Sequence, residues 1–184
     1  FCRTVCLGIG RETVLSLGNT DRELFIRPAA CPDLPELSRI ESACFPPEEA
    51  ASERSIRERL AVFPDCFLIA FANGNAVGLV NGCATDLPRI EDRLFEDASL
   101  HDPNGKNQMV FSLAVDPAFQ GKGIGSALLS RFIEESRTAG RKSVVLTCKE
   151  EKLGYYRRFG FENKGVSGSV HGGAVWYDMV LPLD

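Results

Sequence analysis

The chain has 184 residues, 44% hydrophobic and 25% charged, with 21 basic against 25 acidic side chains. That balance excludes a disordered chain. A net charge of −4, without any basic run interleaved with aromatics, argues against a nucleic-acid-binding surface. No stretch reaches the roughly 18 apolar residues of a membrane span, and two histidines with seven scattered cysteines, none in a C-x-x-C pair, argue against a metal centre or a disulfide framework. Reduced thiols in a cytoplasmic protein are expected instead.

Residues 1–22 lack a clean apolar core and are set aside as an N-terminal extension, leaving a single domain over 23–184. Leu24 to Pro28 reads as a first strand closed by proline. Asp33 caps a helix through Phe45, with Leu34, Leu37, Ile40, Glu41 and Cys44 at helical spacing, and Pro46-Pro47 ends it. Ser52 starts a second helix with Ile56 and Leu60 on its apolar side. Cys66 to Ala72 and Ala76 to Val80, joined by Asn73-Gly74-Asn75, form a β-hairpin. Residues 86–108 are polar and read as a loop with a short helix near Ile90 to Phe95. An apolar strand from Met109 to Val115 follows, then a helix carrying Leu128, Leu129, Phe132 and Ile133 inward and stopped by Gly140. Ser143 to Cys148 is a buried strand, Leu153 to Phe159 a short helix, and Phe161 opens a strand. A connection over Gly165 to Gly173 precedes a last strand from Ala174 to Leu181. This order predicts an α+β fold with a mixed, mostly antiparallel central sheet flanked by helices.

The segment from Met109 to Leu129 carries most of the chemical information. A strand runs into Gln120-Gly121-Lys122-Gly123-Ile124-Gly125-Ser126, and a helix begins there. Free backbone N–H groups and the positive end of a helix dipole suit a diphosphate, and alternate glycines let it approach closely. The spacing fits neither a Walker loop nor a dinucleotide fingerprint.

Gln120-x-x-Gly123-x-Gly125, followed by Tyr155-Tyr156-Arg157-Arg158-Phe159-Gly160-Phe161, resembles the acetyl-CoA loop and late helix of the GNAT N-acetyltransferases. Arg39 to Phe45, Phe63-Pro64-Asp65, Leu100 to Gly105 and Ser112 to Val115 narrow the likeness to the arylalkylamine (serotonin) N-acetyltransferase branch, across about residues 24–183. The resemblance implies the GNAT (acyl-CoA N-acyltransferase) fold and transfer of acetyl from acetyl-CoA to a small primary amine in a ternary complex. It places the backbone of Leu113, Ala114 and Val115 along the pantetheine arm and Gln120, Gly121, Lys122, Gly123, Ile124, Gly125 and Ser126 around the pyrophosphate. Tyr156 matches the family's general acid. Independently, a phenol of pKa ~10 is a sensible proton donor to a thiolate whose conjugate acid lies near ~8.5.

The chain departs from that pattern at the base. Vertebrate members of the branch place two histidines on the strand before the loop, where this chain has Met109 and Phe111. Glu49, Glu48, His171 and Asp86 remain as candidates, Glu49 first. His101 reads as a residue that orders its loop. Phe45 and Trp176 fall where aromatic walls of a substrate pocket are expected, or they belong to the core. A shortened loop after the first helix, with acidic residues, also suits an aliphatic di- or polyamine. Acetylation of a peptide N-terminus or a lysine, or acyl-CoA binding without catalysis, are the other readings. Monomer and dimer stay equally open.

Overall fold

The computed structural model describes residues 13–16 and 23–183. Its elements in chain order are β1 (Thr13–Ser16), β2 (Glu23–Pro28), α1 (Leu34–Cys44), α2 (Glu53–Val62), β3 (Phe67–Ala72), β4 (Asn75–Asn81), β5 (Ala84–Thr85) and α3 (Arg93–Glu96), then β6 (Asn107–Val110), β7 (Ser112–Val115), α4 (Ile124–Thr138), β8 (Ser143–Cys148), α5 (Leu153–Arg157), β9 (Glu162–Val166) and β10 (Tyr177–Pro182). The strands make two five-stranded sheets, ordered β1-β2-β3-β4-β7 and β5-β6-β8-β10-β9. Among the described strands only the β6–β8 pair is parallel. β1 lies inside the segment the sequence left aside and pairs with β2, Thr13 opposite Ile26. The last strand starts at Tyr177 rather than Ala174, because residues 171–173 turn in a short 3-10 segment first. No helix among the described residues is long and apolar enough to cross a membrane.

Local chemistry sets the helix ends. The Ser52 side chain caps α2 by accepting the Ser55 N–H at 3.1 Å. The Phe45-Pro46-Pro47 break stops α1, since the residue before a proline is driven to extended backbone. α1 and α2 lay Leu37, Ile40, Ile56 and Leu60 on one face of the first sheet, against Phe67, Ile69, Leu79 and Ala114. α4 packs across β3, β4, β7 and β8, bringing Leu128, Leu129, Phe132 and Ile133 into a core that includes Val144, Val145 and Leu146. Each such side chain is worth about 1.5–3 kcal/mol on burial. Glu41 and Arg59 are buried on the same inward faces, 1% and 4% exposed, and gain nothing comparable.

The expected continuous strand from Met109 to Val115 is two strands, one in each sheet, divided at Phe111. β4 and β5 run antiparallel beside β7 and β6, but the register shifts between the Asn81–Ser112 and Ala84–Gln108 pairs. Three residues advance on one side against four on the other, which is a β-bulge and bends the ribbon. Gly82 makes the close approach possible, because a Cβ there would stand 1.8 Å from the Met109 carbonyl oxygen. β6 follows β8 as far as Val110 opposite Leu146, while β7 stays with β4. The two sheets therefore part between β7 and the end of β8.

Candidate active site

A cleft of about 1040 Å³ occupies this opening. β7 is the last strand of its sheet, so one edge is unpaired. The Asp116 N–H donates to the Val77 carbonyl at 2.9 Å and fixes the phase of the ladder. By the alternation of an antiparallel pair, Ser112 and Ala114 bond toward β4, while the N–H groups of Leu113 and Val115 point to the open edge. The Val115 carbonyl on that edge is already engaged: it accepts from Gln120 Nε2 at 2.9 Å and from the Cys44 thiol at 3.2 Å. Burial pushes that thiol up to about 11, so it remains a proton donor.

The strand leads into the N-terminus of α4. Gly121 and Gly123 have φ of +75° and +83°, and a Cβ on either would meet nothing within 4 Å, which leaves their outer side open to a ligand. The first intrahelical bond shown is Ala127 N–H to Gly123 O, so the N–H groups of Ile124, Gly125 and Ser126 have no partner within the helix. No side chain caps them and no acidic residue stands in the first turn. Lys152 and Arg158 also line the cleft. These residues fit acetyl-CoA: a strand edge for an extended amide-bearing arm and a helix N-terminus for a diphosphate. Leu113, Val115, Gln120, Gly121, Gly123, Ile124, Gly125 and Ser126 all line it, whereas Ala114 and Lys122 do not. Ala114 faces the α1–α2 core, and the Lys122 ammonium donates to the Ala118 carbonyl at 2.9 Å and lies over the Phe119 ring.

Tyr156 lines the same cleft, edge-on to Tyr155 and Phe161. Burial, with the Cys148 thiol and Tyr155 beside it, pushes its phenol above the ordinary tyrosine range, so the group is a proton donor at neutral pH. Tyr155 lines the cleft as well, its hydroxyl 3.4 Å from Ser126 Oγ at the head of α4.

At the other end the cleft is walled by Phe45, Phe95, Phe111, His171 and Trp176, so the two aromatics expected from the sequence both face it. Phe95 lies between Phe111 and His171, at ring-centroid distances of 5.1 and 4.7 Å. His171 Nε2 donates to the Glu49 carbonyl oxygen at 3.1 Å, and the Trp176 indole N–H donates to the His171 carbonyl at 2.8 Å. Glu49 lines this end with its carboxylate 2.7 Å from Lys149 Nζ. Glu48 is exposed and outside the cleft, and Asp86 accepts the Lys106 N–H on the surface. Met109 is wholly buried in the core. His101 orders its loop as expected, its Nδ1 accepting the Ala84 N–H at 3.1 Å while burial lowers its pKa.

The cleft also contains charges that spacing alone presented as a helix face. Glu41 Oε1 accepts from Ser112 Oγ at 2.8 Å and from the Ala51 N–H at 3.1 Å. Its other oxygen, buried as well, has no hydrogen-bond partner. Burial raises the Glu41 pKa, opposed by those two hydrogen bonds and by the positive charge of Arg59. The Arg59 guanidinium sits under the Phe111 ring, 4.9 Å from its centroid, and donates to Asn81 Oδ1 and the Phe95 carbonyl. Among the described residues there is no cluster suited to a metal ion, and Cys31, Cys44, Cys66, Cys83 and Cys148 are free thiols. Cys2 and Cys6 lie outside the described residues.

The sequence profile of the acetyltransferase (GNAT) family matches residues 34–161, a span that runs from α1 to Phe161 and holds the cleft residues described above other than His171 and Trp176. The chain belongs to the GNAT acetyltransferase family. Members use acetyl-CoA as cosubstrate, and a solved relative from Salmonella typhimurium, at a TM-score of 0.63, contains it. An uncharacterized N-acetyltransferase of Methanocaldococcus jannaschii is 36% identical over 55% of this chain and 41% of its own length. Serotonin N-acetyltransferase of Mesocricetus auratus is 29% identical over 70% and 61%, and a probable glucosamine 6-phosphate N-acetyltransferase of Oryza sativa 31% over 71% and 74%. The chain thus spans about half the length of the first two relatives. The GNAT fold is shared with the GNAT-like decarboxylase GphF in complex with isobutyryl-CoA (TM-score 0.76, 23% identity, 86% of this chain and 99% of that one). Naa50 of Arabidopsis thaliana, bound to a bisubstrate analogue, shares it too (TM-score 0.68, 16% identity, 87% and 99%). The serotonin enzyme is one distant relative among several with different acceptors.

Proposed function

We propose that this GNAT protein acetylates the nitrogen of a small primary amine, with acetyl-CoA as donor. One observation carries the reading: a single cleft holds a free strand edge, an uncapped helix N-terminus, a buried carboxylate with an orphaned oxygen and a protonated phenol. Bound acetyl-CoA supplies an acyl group activated as a thioester. The Leu113 and Val115 edge aligns its arm, and the N–H groups after Gly123 hold its diphosphate. Tyr156 gives up its proton to the departing sulfur. Glu41 takes the proton of the incoming ammonium, because Glu49 is occupied by Lys149 and Oε2 of Glu41 is unengaged. Neutralising Glu41 costs little where burial already disfavours its charge.

The acceptor end supports a small molecule over a peptide. The segment before β10 is tied down at two points: the His171 ring to the Glu49 backbone, and Ser169 and Val170 to the Asp92 carboxylate, with Val170 N–H at 3.1 Å. The ties hold His171 as a fixed wall of the acceptor end, which supports a compact acceptor. The rings around it support an arylalkylamine as acceptor, in line with the distant likeness to serotonin N-acetyltransferase. The test is thiol release from acetyl-CoA with tryptamine, phenethylamine, putrescine, spermidine and a short peptide. Turnover is expected with the first two. CoA binding without turnover of any amine overturns the proposal.

A further inference from the structure

We infer that Lys149 sets acceptor selectivity, its ammonium serving as a built-in cation at the acceptor end of the cleft so that the site takes a monoamine and turns away an amine with a second charge. The inference rests on the amine-acceptor reading above. Glu49 comes from the loop between α1 and α2, and Lys149 from the residue after β8, so their ion pair of 2.7 Å ties opposite walls of the cleft together. The Glu49 side chain is only 7% exposed and that of Lys149 36%. Nζ stands 5.6 Å from the centre of the Trp176 ring, the third side of the same corner. Trp176 is held there through His171, whose ring is itself tied to Glu49.

Glu41, Arg59, Glu49 and Lys149 face the acceptor end from the elements packed around it, together with the His171 ring and, beside Phe95, the exposed Glu96. Arg59 is pinned beneath Phe111. Glu49 has its cation already. Glu41 is the buried carboxylate left for the reacting ammonium, its Oε2 unengaged, whereas Glu96 is exposed to solvent. The distal ammonium of a diamine would enter the aromatic corner where Lys149 Nζ sits and meet a like charge there. Without the lysine, the same corner offers an acidic side chain and an indole face to that second ammonium, a favourable cation site. A repulsive group inside an otherwise receptive pocket is an economical source of discrimination.

The experiment compares pentylamine with 1,5-diaminopentane, matched in length and different in terminal charge. In the natural chain kcat/KM should favour the monoamine by about tenfold or more. Lys149→Met should shift the ratio toward the diamine by about tenfold, and Lys149→Arg should keep the natural ratio. Adding Glu49→Gln to Lys149→Met should remove the gain for the diamine. A ratio unchanged within about twofold in Lys149→Met overturns the inference, even where both rates fall, because loss of a merely structural strut affects both amines alike. If neither of these amines is turned over and tryptamine and phenethylamine are not either, the function proposed above fails. Selectivity is then decided by quenching of Trp176, the only tryptophan, with each amine in the presence of CoA. Equal affinities in the natural chain and in Lys149→Met overturn the inference by that route as well.

Discussion

Glu41 illustrates how one residue can be legible as structure and not as chemistry. At helical spacing with Leu37, Ile40 and Cys44 it lies on the apolar side of α1, and a carboxylate there must be buried. That position was readable. What the sequence does not carry is which groups meet it, since Ser112 is 71 residues away and Arg59 belongs to another helix. Glu49 and His171 were readable as candidates from their loops, yet the ion pair that occupies Glu49 is formed by a residue 100 positions distant. The consequence for catalysis is a change in pH dependence. With Glu41 as proton acceptor, the reactive pair is ionised Glu41 and the ammonium form of the amine. The acid limb of kcat/KM then follows Glu41 and lies above the ordinary glutamate value of ~4.3, because burial has raised its pKa. Glu41→Gln should lower kcat/KM at neutral pH by about 10²-fold or more. It should also replace the acid limb with a tenfold rise per pH unit up to the amine's own pKa, since only amine already neutral in solution can react. A rate profile with the natural shape in Glu41→Gln rules the role out.

At the scale of elements, the instructive case is the run from Met109 to Val115. Seven residues with no glycine or proline read as one strand, and nothing inside them marks the division at Phe111. The mark is at Gly82, between β4 and β5, where only a missing side chain lets Met109 approach. A bulge is a property of a pair of strands, so a reading of one strand at a time passes over it. The α4 head was legible for the opposite reason: glycine spacing and the following helix are local, and the structure keeps both. The divided strand makes a specific claim about individual amides. The Leu113 and Val115 N–H groups point to the open edge, whereas those of Ser112 and Ala114 are in the ladder with β4. Amide hydrogen exchange resolved by residue should find Leu113 and Val115 fast in the free protein and strongly slowed by CoA. Ser112 and Ala114 should be slow in both states. Equal protection of all four amides without CoA would mean that the edge is closed, and the cofactor alignment proposed here would fall with it.

For the whole molecule, the cleft is the place where the two sheets part, β7 staying with β4 while β6 leaves β8 after Val110 opposite Leu146. Below it α4 bridges both sheets, and above it the Glu49–Lys149 pair spans the walls. Lys152 and Arg158 line the cleft with the helix N-terminus, while at the acceptor end the carboxylates of Glu41 and Glu49 are accompanied by Arg59 and Lys149. A net charge of −4 modestly favours the approach of an ammonium to the molecule as a whole, while backbone dipoles and local cations serve the anionic cofactor. A ligand lying along β7 and reaching the head of α4 touches both sheets, and it binds the folded chain alone. At a CoA concentration of 100 times Kd the linkage amounts to about 2.7 kcal/mol. For a chain of this size each kcal/mol moves Tm by roughly 2–4 °C, so a rise of about 5–11 °C is expected. Gly123→Val separates this from nonspecific stabilisation. A β-branched residue is strained at a φ of +83°, and its side chain fills the space left open for the ligand. That variant should have a lower Tm without CoA and gain almost nothing from adding it. The measurement is a thermal melt of both proteins over a CoA series. A full ligand-induced rise in Gly123→Val would place the diphosphate somewhere other than the head of α4.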